Sequence, residues 1–274
     1  TADDTGYAIA ADPDGFIYVA GVTKSEDFPV TQKVLQRGRW GDQDGFIVWL
    51  DPNAPDPPSA IRYASYVGGE YNDEARAVVA LGPGVVAIAG ETSSELFHVT
   101  GNAFRPAYQG GGDIFVTVLD MKIPEYDALL YSTYLGGGQF DAAFGVAVDA
   151  AGSAYVVGET YSVHFPAGSA LSFQARASKD AFIAKLNAAG SALEYLVFLG
   201  GGQSDSARAI ALDSAGNAYV AGVTSSPEFP TTAGAWRRTH GGLEDGFAVK
   251  LGPGGNLIYS TFVGAGGSDF AVAI

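Results

Sequence analysis

The sequence predicts an all-β fold, a β-propeller built of four-stranded antiparallel blades, with four full repeats plus the first strand of a fifth. Three observations lead there. A text of 64 to 69 residues recurs along the chain, opening at Asp4, Asp73, Asp141 and Asp205 and once more at Asp269. Each copy holds four short apolar runs separated by turn signals, with no helical periodicity between them. The composition, 38 Gly, 16 Phe and 14 Tyr but a single Met, suits many short strands joined by tight turns. Four antiparallel strands per repeat is the pattern of a propeller blade. The predicted repeats are 4–72, 73–140, 141–204 and 205–268, with 269–274 a partial fifth; together they read as one propeller or a slice of one.

In the first copy Gly6–Ala11 and Phe16–Gly21 read as two strands joined by the turn Asp12-Pro13-Asp14-Gly15. The third and fourth copies keep Asp and Gly at the ends of this turn (Asp149, Gly152; Asp213, Gly216), whereas the second has Leu81-Gly82-Pro83-Gly84. A carboxylate there is therefore not essential to every blade, and turn chemistry explains the motif better than a calcium loop, which needs six or more oxygens. A long polar loop follows, with a recurring Thr, Ser and Phe: Thr23, Ser25 and Phe28 in the first copy, Thr224, Ser226 and Phe229 in the fourth. The Phe is expected to plug the loop onto its blade, and the Pro after it (Pro29, Pro166, Pro230; His98 in the second copy) to stiffen the turn. Third strands open at Asp44, Asp113, Asp180 and Asp245, and fourth strands surround Tyr63, Tyr131, Tyr195 and Tyr259 before a Gly-rich link. Small residues dominate the first strand, as an innermost strand requires.

The two Asp positions lie 39 or 40 residues apart in every copy, and the outer Tyr lies 10 before the next opening Asp. Between strands three and four the spacing varies from 14 to 19. Insertions of this kind project from one face of a repeat array. The long Thr/Phe loops and the Gly-rich links share the other face.

The best-preserved text is D-x-A-x-A-I-A-x-D-x-x-G-N-A-Y-V-x-G-x-T-x-S-x-x-F-P, then G-G-x-x-D-x-F-x-x-K-L, then Y-S-T-Y-L-G-G, carried most fully by Asp205–Gly264. This text resembles the SBBP β-propeller repeat of bacterial secreted and surface proteins, over essentially the whole chain. The resemblance implies an extracellular or cell-surface location and adds no catalytic residues.

Lys and Arg number 15 against 30 Asp and Glu, a net charge of −15, which argues against nucleic acid and anionic membranes as partners. With no Cys there are no disulfides or thiolate metal sites. No apolar run reaches the length of a membrane span. No HExxH, GxSxG or phosphate-loop context occurs, so catalytic, cofactor-binding and metal residues are all predicted as none. His98, His164 and His240 lie in loops, where a solvated imidazole is the expected state. The two series of repeated Asp residues fit turn caps and backbone acceptors better than paired carboxylates for glycoside hydrolysis.

A functional site should break the repeat. The candidates are Arg37, Arg39 and Trp40; the insert Pro52–Pro58; Met121–Tyr126; and Trp236, Arg237 and Arg238, since Arg and Trp are favoured at binding hot spots. Phe270, Val272 and Ile274 of the unfinished strand are candidates for strand pairing within the chain or with a neighbouring subunit, giving a homo-oligomer or a filament. The function expected is a non-catalytic structural or adhesive module whose partner is a protein or a glycan. The alternative is a carbohydrate-binding or carbohydrate-cleaving propeller, which requires a cleft of non-repeated carboxylates and exposed aromatics.

Overall fold

A computed structural model describes residues 2–165 and 179–274. Pro166 lies outside the described residues. The chain forms two compact units, 1–135 and 136–274. The first contains two four-stranded meanders, β1 (Asp4–Ala11), β2 (Ile17–Thr23), β3 (Asp44–Leu50), β4 (Ile61–Val67) and β5 (Asp73–Gly82), β6 (Val85–Thr92), β7 (Asp113–Asp120), β8 (Leu129–Leu135). The second contains β9 (Asp141–Val148), β10 (Ala154–Thr160), β11 (Asp180–Leu186), β12 (Leu193–Leu199) and β13 (Asp205–Leu212), β14 (Ala218–Thr224), β15 (Asp245–Leu251), β16 (Leu257–Val263). Every sheet pairs its strands antiparallel in chain order. Within each unit the first strand of the later sheet, β5 or β13, lies against the face of the earlier one.

The repeated Asp at the start of the second, third and fourth blades is a buried acceptor, and the exposed Asp4 accepts the Thr23 and Ser25 hydroxyls in the same way. Asp141 accepts the backbone N–H of Gly137 at 2.7 Å and the Ser162 hydroxyl at 2.8 Å, and the Thr160 hydroxyl donates to its other oxygen. Asp73 takes Gly69 N–H at 2.7 Å and Ser94 at 2.9 Å, and Asp205 takes Gly201 N–H and Ser226, both at 2.9 Å. The Thr oxygen in turn accepts the N–H of the Ser two residues on, at 3.0 Å for Thr92 and Ser94. One carboxylate thus joins the link, the inner strand and the start of the long loop. The Gly pair of the link follows from this crowding: a Cβ on Gly68 would stand 2.8 Å from both the Asp44 and Asp73 carboxyls.

The loop Phe does plug onto its blade. Phe97 stacks on Phe115 at 4.6 Å, Phe229 on Phe247 at 4.6 Å and Phe28 on Phe46 at 4.8 Å. Each fully buried ring of this kind is worth about 1.5–3 kcal/mol. The Asp turn holds as turn chemistry: Asp213 accepts the N–H groups of Ala215 and Asn217 and the Tyr219 hydroxyl, with Gly216 at φ 77°. Tyr219 carries Lys250 over its ring, and Tyr155 carries Lys185, each at 4.9 Å. The second copy lost this set together: Leu81, Ala87 and Val118 stand where the fourth has Asp213, Tyr219 and Lys250. Tyr18 of the first blade compensates, its hydroxyl accepting the N–H of Gly84 at 2.8 Å.

Length variation sits between the third and fourth strands. Two of the inserts carry a helical turn that the sequence did not signal, α1 (Pro57–Ala60), capped by Asp56 on Ser59 N–H at 3.0 Å, and a 3-10 turn at Glu125–Ala128. The fifth copy begins as the others do, with Asp269 accepting the N–H of Ala265 at 2.7 Å and donating its own to Glu244 at 2.9 Å. Its expected strand does not form: among the described residues, 269–274 make no ladder beyond the Glu244–Ser268 bridge.

Burial raises the Asp73 carboxyl to about 7 and those of Asp141 and Asp205 to about 6, against the opposing Thr, Gly and Ser hydrogen bonds. An acid that holds its proton more tightly folded than unfolded stabilises the fold at low pH and loses that contribution as pH rises through the folded value. The melting temperature is therefore expected to fall as pH is raised from about 5 to about 8, and Asp141→Asn to flatten the slope. Calorimetry across that interval checks this; a flat or rising melting temperature contradicts it.

Candidate functional site

The symmetry-breaking residues are placed by the symmetric ones. Trp40 sits on a turn closed by Asp44, which accepts the N–H groups of Trp40 at 3.0 Å and Gly41 at 3.1 Å and the Gln36 side-chain amide at 2.7 Å. Asp113 and Asp245 close the same turn, taking the N–H of Gln109 and Gly241 at 2.6 Å. Tyr71 lies on the link between β4 and β5, its N–H held by the Ser94 hydroxyl at 2.9 Å, as Gln139 and Gln203 are held by Ser162 and Ser226. Turn and link touch at Gly41, where any side chain would run into the Tyr71 carbonyl.

The result is a hollow of about 600 Å³ lined by Trp40, Asp42, Glu70, Tyr71, Asn72 and Ser93. Trp40 and Tyr71 are 51% and 58% exposed. Glu70 is held by the N–H groups of Glu95 and Leu96, both at 3.0 Å. Behind Trp40 the aromatic surface continues: its ring meets His98 edge-on at 5.2 Å, and His98 meets the exposed Tyr126 at 4.7 Å. His98 is therefore no solvated loop histidine. Packing between these rings buries it and lowers its pKa, which keeps the imidazole neutral. The Tyr126 turn reaches this place because the Glu125 N–H donates to the Lys33 carbonyl at 3.1 Å. His164, by contrast, is exposed.

Of the residues singled out from sequence, Trp40 and Tyr126 come together on this surface, joined through His98. Arg39 stands beside them, its guanidinium bonded to the Gly41 carbonyl and paired with Glu26 at 3.3 Å. Arg37, Pro52, Pro58 and Arg238 are exposed and do not line this hollow. Two candidates are corrected. Met121 is only 6% exposed and fills the core beneath its insert. Arg237 occupies the loop position of Gln36, where its N–H bonds Thr261 at 2.9 Å and its guanidinium the Gly264 carbonyl, so it fastens the loop to β16. Trp236, 73% exposed, takes the place held by the buried Leu35 in the first copy rather than that of Trp40. Phe270, Val272 and Ile274 are exposed at 59%, 68% and 55%.

Sequence reasoning passed over Asp42, Glu70 and Tyr71. The signal was present: aligned on the following Asp, the links read Glu70-Tyr71-Asn72 against Gly138-Gln139-Phe140, Gly202-Gln203-Ser204 and Gly266-Gly267-Ser268. It also passed over a β-bulge in each inner strand, at Tyr7, Arg76, Phe144 and Arg208. A bulge re-aims its side chain, and here each Arg covers the aromatic ring of the preceding blade, Arg76 over Tyr7 at 5.2 Å and Arg208 over Phe144 at 4.2 Å. Glu74 and Glu91 neutralise Arg76, and Glu159 neutralises Arg208, so these are blade-to-blade fastenings. Among the described residues no three His, Asp or Glu converge on a metal-sized site, and no helix is long and apolar enough to cross a membrane.

Repeated four-stranded meanders with a conserved internal lock define a β-propeller repeat module. The family model of the SBBP beta-propeller repeat matches residues 1–29 and 195–230. Among solved structures, hydrazine synthase of Kuenenia stuttgartiensis is similar over 93% of this chain and 53% of its own, with 11% identity and a TM-score of 0.49. This chain thus spans about half the length of that one. BamB of Moraxella catarrhalis is similar over 96% of this chain and 78% of its own, with 11% identity and a TM-score of 0.29. No curated protein matches the chain.

If the surface at Trp40 is spare and the Asp–Ser lock is structural, their truncations separate. Ser94→Ala is expected to cost about 1–3 kcal/mol by leaving a buried carboxylate and the Tyr71 N–H short of a partner. Trp40→Ala is expected to cost no more than about 1 kcal/mol. Urea unfolding measures both, and equal losses would make Trp40 part of the scaffold.

Proposed function

We propose that the protein is a non-catalytic, extracellular or cell-surface propeller module that holds a partner through the loop face carrying Trp40 and Tyr71. The observation that carries this reading is a division of labour. The repeated polar side chains bond the backbone of their own blades, while two exposed aromatics that depart from the repeat, Trp40 and Tyr71, line one hollow. Trp40 and Tyr71 leave about half of their large rings in water, a surface whose burial by a partner would contribute to binding. The outside location is supported by the SBBP resemblance.

A second reading, glycan binding, is favoured by one feature, the flat Trp40 and Tyr71 rings beside the Asp42 and Glu70 carboxylates. Rings of this kind stack on the apolar faces of sugars.

Antibody labelling of intact cells that make the protein is expected to be positive without permeabilisation. Beads coated with the chain are expected to be retained on those cells, and Trp40→Ala with Tyr71→Ala to reduce retention at least tenfold. Labelling that needs lysis, or retention unchanged by the double variant, would overturn the reading.

A further inference from the structure

We propose that the hollow beside Trp40 binds a cationic side chain, a Lys or Arg of a partner polypeptide, held against the Trp40 and Tyr71 rings by the Asp42 and Glu70 carboxylates. This names the occupant of the site above and rests on that reading.

The hollow contains two carboxylates and no Lys, Arg or His among its lining residues. Neither Asp42 nor Glu70 forms an ion pair among the described residues. The hydrogen bonds from Glu95 and Leu96 fix the Glu70 carboxylate in place without neutralising it. The cations nearby are committed or absent: Arg39 is turned to Glu26 and the Gly41 carbonyl, and His98 stays neutral between its aromatic neighbours. The chain as a whole carries −15. Local and overall charge therefore act in one direction.

That direction selects among ligands. An anionic group is repelled. A neutral sugar would stack on the rings and donate hydroxyl hydrogen bonds to the carboxylates, but would leave their charge uncompensated. An ammonium or guanidinium gains from both features at once: the ring faces attract a cation, Trp most strongly, and the carboxylates supply charge-assisted hydrogen bonds. A hollow of about 600 Å³ has room for such a side chain and its neighbours in a peptide.

The fourth copy supplies an internal comparison. The same turn and link there place Gly241, Leu243, Gly266 and Gly267 where the first blade and its link place Trp40, Asp42, Glu70 and Tyr71. All four departures from the repeat fall in one hollow, and all four favour a cation.

The test is titration calorimetry of the full chain with three probes: a capped octapeptide of alternating Gly and Arg, the same peptide with Gln for Arg, and a neutral glucose hexasaccharide. The Arg peptide is expected to bind, the Gln peptide to bind at least tenfold more weakly, and affinity to fall with added salt. Trp40→Ala, which leaves the net charge unchanged, and the pair Asp42→Asn with Glu70→Gln are each expected to weaken the Arg peptide at least tenfold. Asp14→Asn with Asp56→Asn, the same charge change on the β1–β2 turn and the β3–β4 insert at the opposite ends of the strands, is expected to leave it within twofold. Equal loss in the distant pair would reduce the effect to general acidity and overturn the proposal, as would no binding of the Arg peptide. Hexasaccharide binding that depends on Trp40 while the Arg peptide fails would overturn the cation but keep the module and its face. Cell retention that ignores Trp40 would instead remove the module reading itself.

Discussion

A buried carboxylate at the start of the second, third and fourth blades is the constraint on which the rest of the structure depends. Leaving such a group unpaired inside the protein would be prohibitive, so its partners are as fixed as the group itself. Asp73, Asp141 and Asp205 each take a backbone N–H from the link four residues earlier and a Ser hydroxyl from the loop of the same blade. The Gly pairs, the Thr and the Ser of the repeated text all answer to that one acceptor. The second Asp series works in the same way on the turn before the third strand.

This arrangement frees other positions. Once the backbone of a turn or link is held from inside by Asp44 or Ser94, the side chain it displays outward has no structural task. Trp40 and Asp42 vary on a turn held in the same way in other copies, and Gly241 shows that this turn stands without Trp40. The bulged inner strands follow the opposite logic. There the variable position is used between blades, an Arg over an aromatic ring with Glu beside it, and the variation is matched across the pair.

Much of the fold was legible because a repeat lets residues be compared with their own equivalents. Four strands per copy, the Asp turn, the Phe plug and the variable third loop could all be read in that way. The joint loss of Asp, Tyr and Lys in the second copy was half legible, as Leu81 alone; its partners Ala87 and Val118 are distant in sequence and adjacent only across the ladder. The site was less legible for the same reason. Arg37-Gly38-Arg39-Trp40 and Trp236-Arg237-Arg238 look alike as text, yet Trp236 aligns with the buried Leu35 and Arg237 with Gln36. Met121 looked like an exposed insert residue and proved to be core.

The sequence by itself determined the blade: which residues are strand, where the turns fall, and which carboxylates serve the backbone. These are local periodicities and short contacts that recur in each copy. Only the tertiary structure decided which non-repeated residues share a surface. Trp40, Tyr71, His98 and Tyr126 come from a turn, a link, a loop and an insert of two blades, and they meet because β5 lies on the first sheet and the Glu125 N–H reaches the Lys33 carbonyl. Such neighbours have no fixed separation along the chain, so no periodicity announces them.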